Sequence, residues 1–179
     1  ICRINCSDKQ RVDRFGSTEA NVEHDENGML LAIDNWFYNA KSNRRMRYSD
    51  GTVISEPTLA RGQWGITSNN EGMLYYNTNS NLLLGDVFNA QPIIEAGNQG
   101  AAGLNIPVSK NDQLYAVRVN TGVNRAYVPG VLREDGRLDK PTSASGMAYY
   151  RGDQFPASYS GAVFVTEPAA NAIVYLKLN

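Results

Sequence analysis

The chain has 179 residues, a formal net charge of −1, and 20% charged against 42% hydrophobic residues. That is enough for one domain with its own core, and too apolar for a disordered chain. Lys and Arg are scattered rather than gathered in a stripe, which argues against a nucleic-acid footprint or a membrane-surface patch; no apolar run approaches the ~20 residues that span a bilayer.

The opening, ICRINCSDKQ, starts on Ile1 and is strand-like, as expected of a processed chain or a piece of a longer one. Cys2 and Cys6 are the only cysteines. On an alternating strand they share a face but stand more than ~10 Å apart, too far for a disulfide without a bend. Two reduced, small apolar side chains are the favoured reading. No C-x-x-C-H occurs, so the chain carries no haem attachment site, and one His with two Cys does not make a zinc site by itself.

From there strand and turn signals recur, and long amphipathic helical windows do not. Apolar runs fall at 29–33, 36–38, 73–76, 114–119, 162–165 and 173–178. Asn27-Gly28, Asp50-Gly51 and Asp135-Gly136 are dipeptides of the hairpin type. Three stretches resemble one another: NGMLLAIDNWFYNA around Gly28, WGITSNNEGMLYYNT around Gly65, and SGMAYYRGDQFPASYSGAVFVTE around Gly146. Each runs from a Gly through an apolar strand and a polar turn into a second strand. The glycines are 37 and 81 residues apart, close to one and two periods of a propeller blade at ~40–50 residues. The expectation is therefore an all-β fold: about four blades or part-blades of a β-propeller, in one partial domain over 1–179, with a diverged unit near 103–119. The alternative is a β-sandwich with coincidental spacing. An open arc of blades leaves two apolar faces uncovered, so another chain or a longer native protein would complete it. The long segments 89–103 and 120–141 are of a length that is often functional.

Few residues stand out chemically. His24, the only histidine, lies between Glu23 and Asp25 ahead of a strand. It is either a loop histidine among acids or a general base oriented by its neighbour. Arg61 precedes Gly65 by four residues and suits either a rim salt bridge or a carboxylate or quinone oxygen. Asn77, Asn79, Asn81 and Asp86 carry oxygens of the kind calcium accepts, without EF-hand spacing. Arg125 and Arg151 are cationic loop residues, and Arg44, Arg45 and Arg47 read as a solvated face. No G-x-S-x-G, P-loop or G-x-G-x-x-G occurs.

Taken together, NVEHDENGMLLAIDNWFYNA, RGQWGITSNNEGMLYYNTNSNLLLGD, GVNRAY, LREDGRL and SASGMAYYRGDQFPASYSGAVFVTEPAAN resemble successive landmarks of the β-propeller domain of the PVC-type membrane-bound dehydrogenase family. That family is similar to sugar dehydrogenases that use pyrroloquinoline quinone (PQQ). The resemblance covers nearly the whole chain. It implies a six-bladed ring with upstream blades and any cytochrome domain lying outside this chain. It also implies oxidation of a sugar or alcohol with PQQ and calcium, electron transfer to a haem-bearing domain or protein, and a periplasmic or otherwise exported location. Glu23-His24 resembles the family's Asp-His base pair. Arg61 with Gly65 resembles its quinone-side arginine, and Tyr150-Arg151-Gly152 resembles its Y-[KR]-G segment. The family's arginines near the last strand have no counterpart in AANAIVYLKLN. The rival expectation is a non-catalytic propeller that serves as a binding or assembly scaffold, or a structural subunit.

Overall fold

The structure, a computed structural model, describes residues 25–178; Cys2, Cys6, Glu23 and His24 lie outside the described residues. It is built of three small antiparallel sheets met in succession along the chain, with almost no helix. No described helix is long and apolar enough to cross a membrane.

The first sheet is a meander of β1 (Asn27–Leu31), β2 (Phe37–Ala40), β3 (Arg44–Ser49) and β4 (Thr52–Pro57). Asp50 and Gly51, at φ 50° and 81°, make the tight turn from β3 to β4 that an Asp-Gly pair favours. Asn27-Gly28 does something else. It lies inside β1, where the pairing register with β2 shifts, so it forms a bulge and not a hairpin turn.

The second sheet pairs β5 (Ile66–Ser68), β6 (Leu74–Thr78), β7 (Asn81–Gly85) and the two-residue β8 (Ile106–Pro107). The long connection between β7 and β8 holds a single helical turn, α1 (Gln91–Glu95). Ala90, Ile94 and Leu104 bury a small core of their own beside it. The third sheet has three strands, β9 (Ser145–Tyr149), β10 (Ala162–Glu167) and β11 (Ala172–Lys177), in the order β11-β10-β9.

The expected fourth unit near 103–119 is not a sheet. Along 114–119, Leu114 and Ala116 are buried and Tyr115, Val117 and Val119 exposed, so the alternation is real. What fails is pairing: the stretch has no neighbouring strand, and residues 108–144 make only the isolated bridges Val119–Arg137 and Leu132–Leu138. Side-chain and turn bonds hold the segment instead. The Leu114 amide donates to the Asp139 carbonyl at 2.7 Å, and Arg133 bonds the Asp139 carboxylate at 3.0 Å and the Leu114 carbonyl. Asp135-Gly136 does form its tight turn.

The repeat glycines bring the sheets together. A Cβ on Gly28 would stand 2.6 Å from the Gly65 Cα, and one on Gly65 would stand 3.4 Å from the Gly146 Cα. The three glycines therefore stack at the starts of β1, β5 and β9. The far ends follow in the same order, since Gly72 after β5 abuts the Ile33 side chain after β1. The first strands of the sheets thus run side by side in one direction. Asn27 ties the first two sheets further: its carbonyl oxygen accepts from the Gly65 amide at 2.9 Å and its amide donates to the Gln63 carbonyl at 2.8 Å. One apolar core, with Trp36, Tyr38, Ile66, Leu74, Tyr76 and Leu84, lies between the first and second sheets. Another, with Leu82, Leu83, Leu138, Val163 and Val165, joins the second sheet to the third and to the 108–144 segment.

Candidate functional site

Between the first two sheets lies a cleft of ≈ 180 Å³, lined in about equal part by polar and apolar groups, among the latter Ile33, Met73, Leu74 and Phe88. The β1–β2 turn supplies Asp34, β2 supplies Tyr38, the β5–β6 turn supplies Glu71, and the stretch after β7 supplies Asp86 and Gln91. Arg61 lines it from the segment before β5, which bridges to Ala40 at the end of β2.

Arg61 is committed within the protein. Its side chain and that of Asp86 are each 4% exposed, and Nε lies 2.9 Å from the Asp86 carboxylate. Nη1 donates to Thr58 Oγ1 at 3.1 Å and to the Leu59 carbonyl at 3.0 Å. Asp86 is satisfied on its other oxygen by the Tyr76 hydroxyl at 2.8 Å and the Asn105 amide at 2.9 Å. Such a pair needs these extra bonds, because removing two charges from water costs more than their attraction returns when either is left half-bonded. Burial, followed by the nearby Asp86 charge, pushes the Tyr76 phenol far above its ordinary range.

A second buried arginine flanks the site. Arg45, which the sequence placed on a solvated face, is only 8% exposed. It bonds Glu56, the Tyr38 hydroxyl at 3.0 Å and Asp34 at 3.3 Å, and stacks 4.4 Å from the Trp36 ring. β3 turns its Arg45 side toward carboxylates that are distant in sequence, whereas Arg44 and Arg47 remain exposed. Tyr38 stands between the two arginines, since the Arg61 guanidinium lies 5.6 Å from its ring. Burial pushes the Tyr38 phenol up to about 12. At neutral pH it is therefore a hydrogen-bond donor, bonded to Asp34 at 2.7 Å, and not a base.

Arg151 is placed differently. It follows β9 and bonds the β5–β6 turn, donating to Asn70 at 3.1 Å and to the Ser68 and Asn69 carbonyls, with the Tyr149 ring 4.9 Å away. The structure does not bring Arg61 and Arg151 into one cleft: Arg151 does not line the one beside Arg61. It lies beyond the ends of the first strands, away from the glycine stack. Of the oxygens considered for calcium, Asn77 Oδ1 is buried without a partner, while its amide donates to the Ser145 carbonyl at 3.3 Å; the others have internal partners. Asn79 accepts from the Trp64 indole at 2.9 Å, Asn81 from Thr78 at 2.8 Å, and Asp86 is shared as above. Among the described residues no cluster of three or more His, Cys, Asp or Glu is placed to hold a metal.

The cleft does not fit PQQ. It is smaller than the ~300–1,000 Å³ of ordinary small-molecule sites. Three carboxylates, of Asp34, Glu71 and Asp86, line it against one guanidinium that is already paired, the wrong balance for a cofactor that is itself a polycarboxylate. Asp34, Tyr38, Glu71 and Gln91 were missed in the sequence because they converge from three separate connections and from β2, and nothing local marks them.

Fold and site define a mostly β protein of three consecutive antiparallel sheets with a charged, internally bonded seam between the first two. The chain belongs to the DUF7133 family, a domain of unknown function whose family model matches residues 5–179. No curated protein and no solved structure matches it.

Proposed function

We propose that the three sheets are consecutive blades of a β-propeller and that the full-length protein is an exported, quinone-type sugar or alcohol dehydrogenase in which these blades are the framework. The glycine stack carries the architectural half. It supports the reading because the first strands of the three meanders run side by side and parallel, as the inner strands of neighbouring propeller blades do. Further blades, on this polypeptide or another chain, complete the ring. The catalytic half is supported by the resemblance in sequence. In this reading Glu23 and His24, just ahead of β1, are the base pair that takes the substrate hydroxyl proton. Arg61 and Arg151 serve as framework, and a haem-bearing partner takes the electrons. The test is dye reduction by full-length protein supplied with PQQ and calcium, across sugars and alcohols. Activity that disappears in His24→Ala supports the reading, and no reduction with any substrate overturns its catalytic half.

A second reading, a non-catalytic propeller for binding or assembly, is favoured by one observation. Both arginines matched to cofactor contacts are consumed by internal partners, Asp86 for one and turn carbonyls for the other. Polyol binding at the cleft without turnover is its expected signature.

A further inference from the structure

The chain as a whole is near neutral, with 17 basic and 18 acidic residues, yet one open cleft concentrates positive charge. It is ≈ 490 Å³ in volume and lies between the β6–β7 turn and the 108–144 segment, away from the Arg61 cleft. Its charged lining is Lys110, Arg125 and Lys140 against the single carboxylate of Asp112. Lys110 and Lys140 are exposed; the Lys140 amide bonds the Val131 carbonyl at 3.3 Å and its ammonium charge is felt by Asp139, but among the described residues neither lysine's ammonium group makes a hydrogen bond or an ion pair. Arg125 reaches across to Ser80 Oγ from a left-handed backbone, φ 63°, that a bulky non-glycine residue adopts at a cost. That bond and that conformation hold the guanidinium over the cleft.

The rest of the lining is apolar, from Val128, Val131 and Pro141, and hydroxyl-bearing, with the Ser109 hydroxyl already bonded to the Asn111 carbonyl at 2.9 Å. Ser80, Ser109 and Thr142 add hydroxyls. Thr142 is 2% exposed, and its hydroxyl has no partner among the described residues, an uncommon condition for a buried polar group. Three cations facing one cavity repel one another unless an anion enters, and hydroxyl donors beside them favour oxygen acceptors.

From this arrangement we infer that the cleft binds a doubly charged tetrahedral oxyanion, a phosphate or sulfate group on a small molecule or as the free ion. Lys110 and Lys140 supply point charges, Arg125 a planar fork, and Thr142 a buried donor. The net excess of two positive charges matches a dianion better than a monocarboxylate. The site is independent of the propeller and dehydrogenase proposals.

The test is NMR or calorimetric titration of the 179-residue chain at low ionic strength with inorganic phosphate, inorganic sulfate, glucose 6-phosphate, glucose 6-sulfate and glucuronate. Saturable binding of phosphate or sulfate species at millimolar concentration is expected. It should weaken about tenfold in Lys110→Gln and again in Lys140→Gln, the effect of losing one charge-assisted hydrogen bond. Both lysines are exposed, so these variants keep the fold, and unchanged thermal unfolding checks this. Tighter binding of the esters than of inorganic ions identifies a sugar-borne group, and equal binding a free ion; either supports the inference. Glucuronate binding as tightly as the dianions, binding unaffected by both lysine variants, or no saturable binding at all overturns it.

Discussion

The two seams between the sheets use the same glycine repeat and close in different ways. At the first seam Gly28 and Gly65 meet backbone to backbone, leaving no room for a methyl group, and the Arg61–Asp86 pair is buried beside them. At the second, Gly65 and Gly146 are farther apart. The polar ties there involve no buried ion pair: the Tyr149 amide donates to Thr67 Oγ1 at 3.1 Å, the Asn77 amide to the Ser145 carbonyl at 3.3 Å, and exposed Arg151 bonds several oxygens of residues 68–70. A repeat in sequence thus fixes where neighbouring sheets touch but not how tightly they are locked. The middle sheet shows the consequence: all three residues of β5 are buried, while Met29 and Leu31 of β1 stand 68% and 54% exposed on a face with no described neighbour.

The largest effect should come from breaking the buried pair. Asp86→Ala leaves Arg61 charged and unpaired and also strips the Tyr76 hydroxyl and the Asn105 amide of their acceptor. A loss of about 3–5 kcal/mol is expected in urea unfolding. The double variant Arg61→Met/Asp86→Leu should recover only part of it: the unpaired buried charge is gone, but the Tyr76 hydroxyl and the Asn105 amide still lack their acceptor. A single variant as stable as the parent would refute the buried lock.

Glycine substitutions separate steric contact from backbone strain. Gly28, Gly65 and Gly51 all have φ between 65° and 85°. Alanine at any of them costs about 1–2 kcal/mol in left-handed strain. Only at Gly28 does the methyl group land on backbone, at 2.6 Å, whereas Gly51 has nothing within 4 Å. Gly28→Ala should therefore cost about 1–3 kcal/mol more than Gly51→Ala. Gly65→Ala, at 3.4 Å from Gly146, should fall close to Gly51→Ala. Equal losses at Gly28 and Gly51 in thermal unfolding would remove the difference between the seams.

That ranking also marks what the sequence carried. The glycine spacing, the apolar alternation and the Asp50-Gly51 turn are local signals, and they located most strands. β3 and β4 were harder to see, because RRMRYS presents mostly polar side chains and becomes a strand through its pairing with β4. The stretch 114–119 errs the other way: its alternation follows burial against the core, with no partner strand to make a ladder. The site was least legible. Arg45 meets Asp34 and Glu56 across 11 residues each, and Arg61 meets Asp86 across 25. Partnerships at such separations are set by tertiary packing, so charged residues that read as surface became the interior of the first seam.

A pH series probes that interior with a smaller signal. The Tyr38 phenol titrates at about 12 in the fold against 10.0 ordinarily, chiefly through burial. The folded state therefore holds this proton more tightly than the unfolded chain does. Below pH 10 the contribution is fully present, and it is lost as pH rises from 10 towards 12. Tyr75 and Tyr76, also pushed up by burial, add slopes of the same sign. Urea midpoints measured across this window should fall with pH, and less steeply in Tyr38→Phe. An identical slope in the variant would place Tyr38 in water.

The smallest effect belongs to the second seam. Arg151 is exposed, and its bonds to Asn70 and the turn carbonyls compete with water. Arg151→Ala should cost no more than about 1 kcal/mol, because an exposed cation gives up hydration for each bond it makes. The local consequence should be larger than the global one. Residues 68–70 lose the guanidinium that gathers their carbonyls, so amide exchange should speed up in the β5–β6 turn while β6 and β7, buried in the second sheet, keep their protection. If Arg151→Ala instead unfolds the protein as readily as Asp86→Ala, the two seams are equally locked, and the difference drawn from burial is wrong.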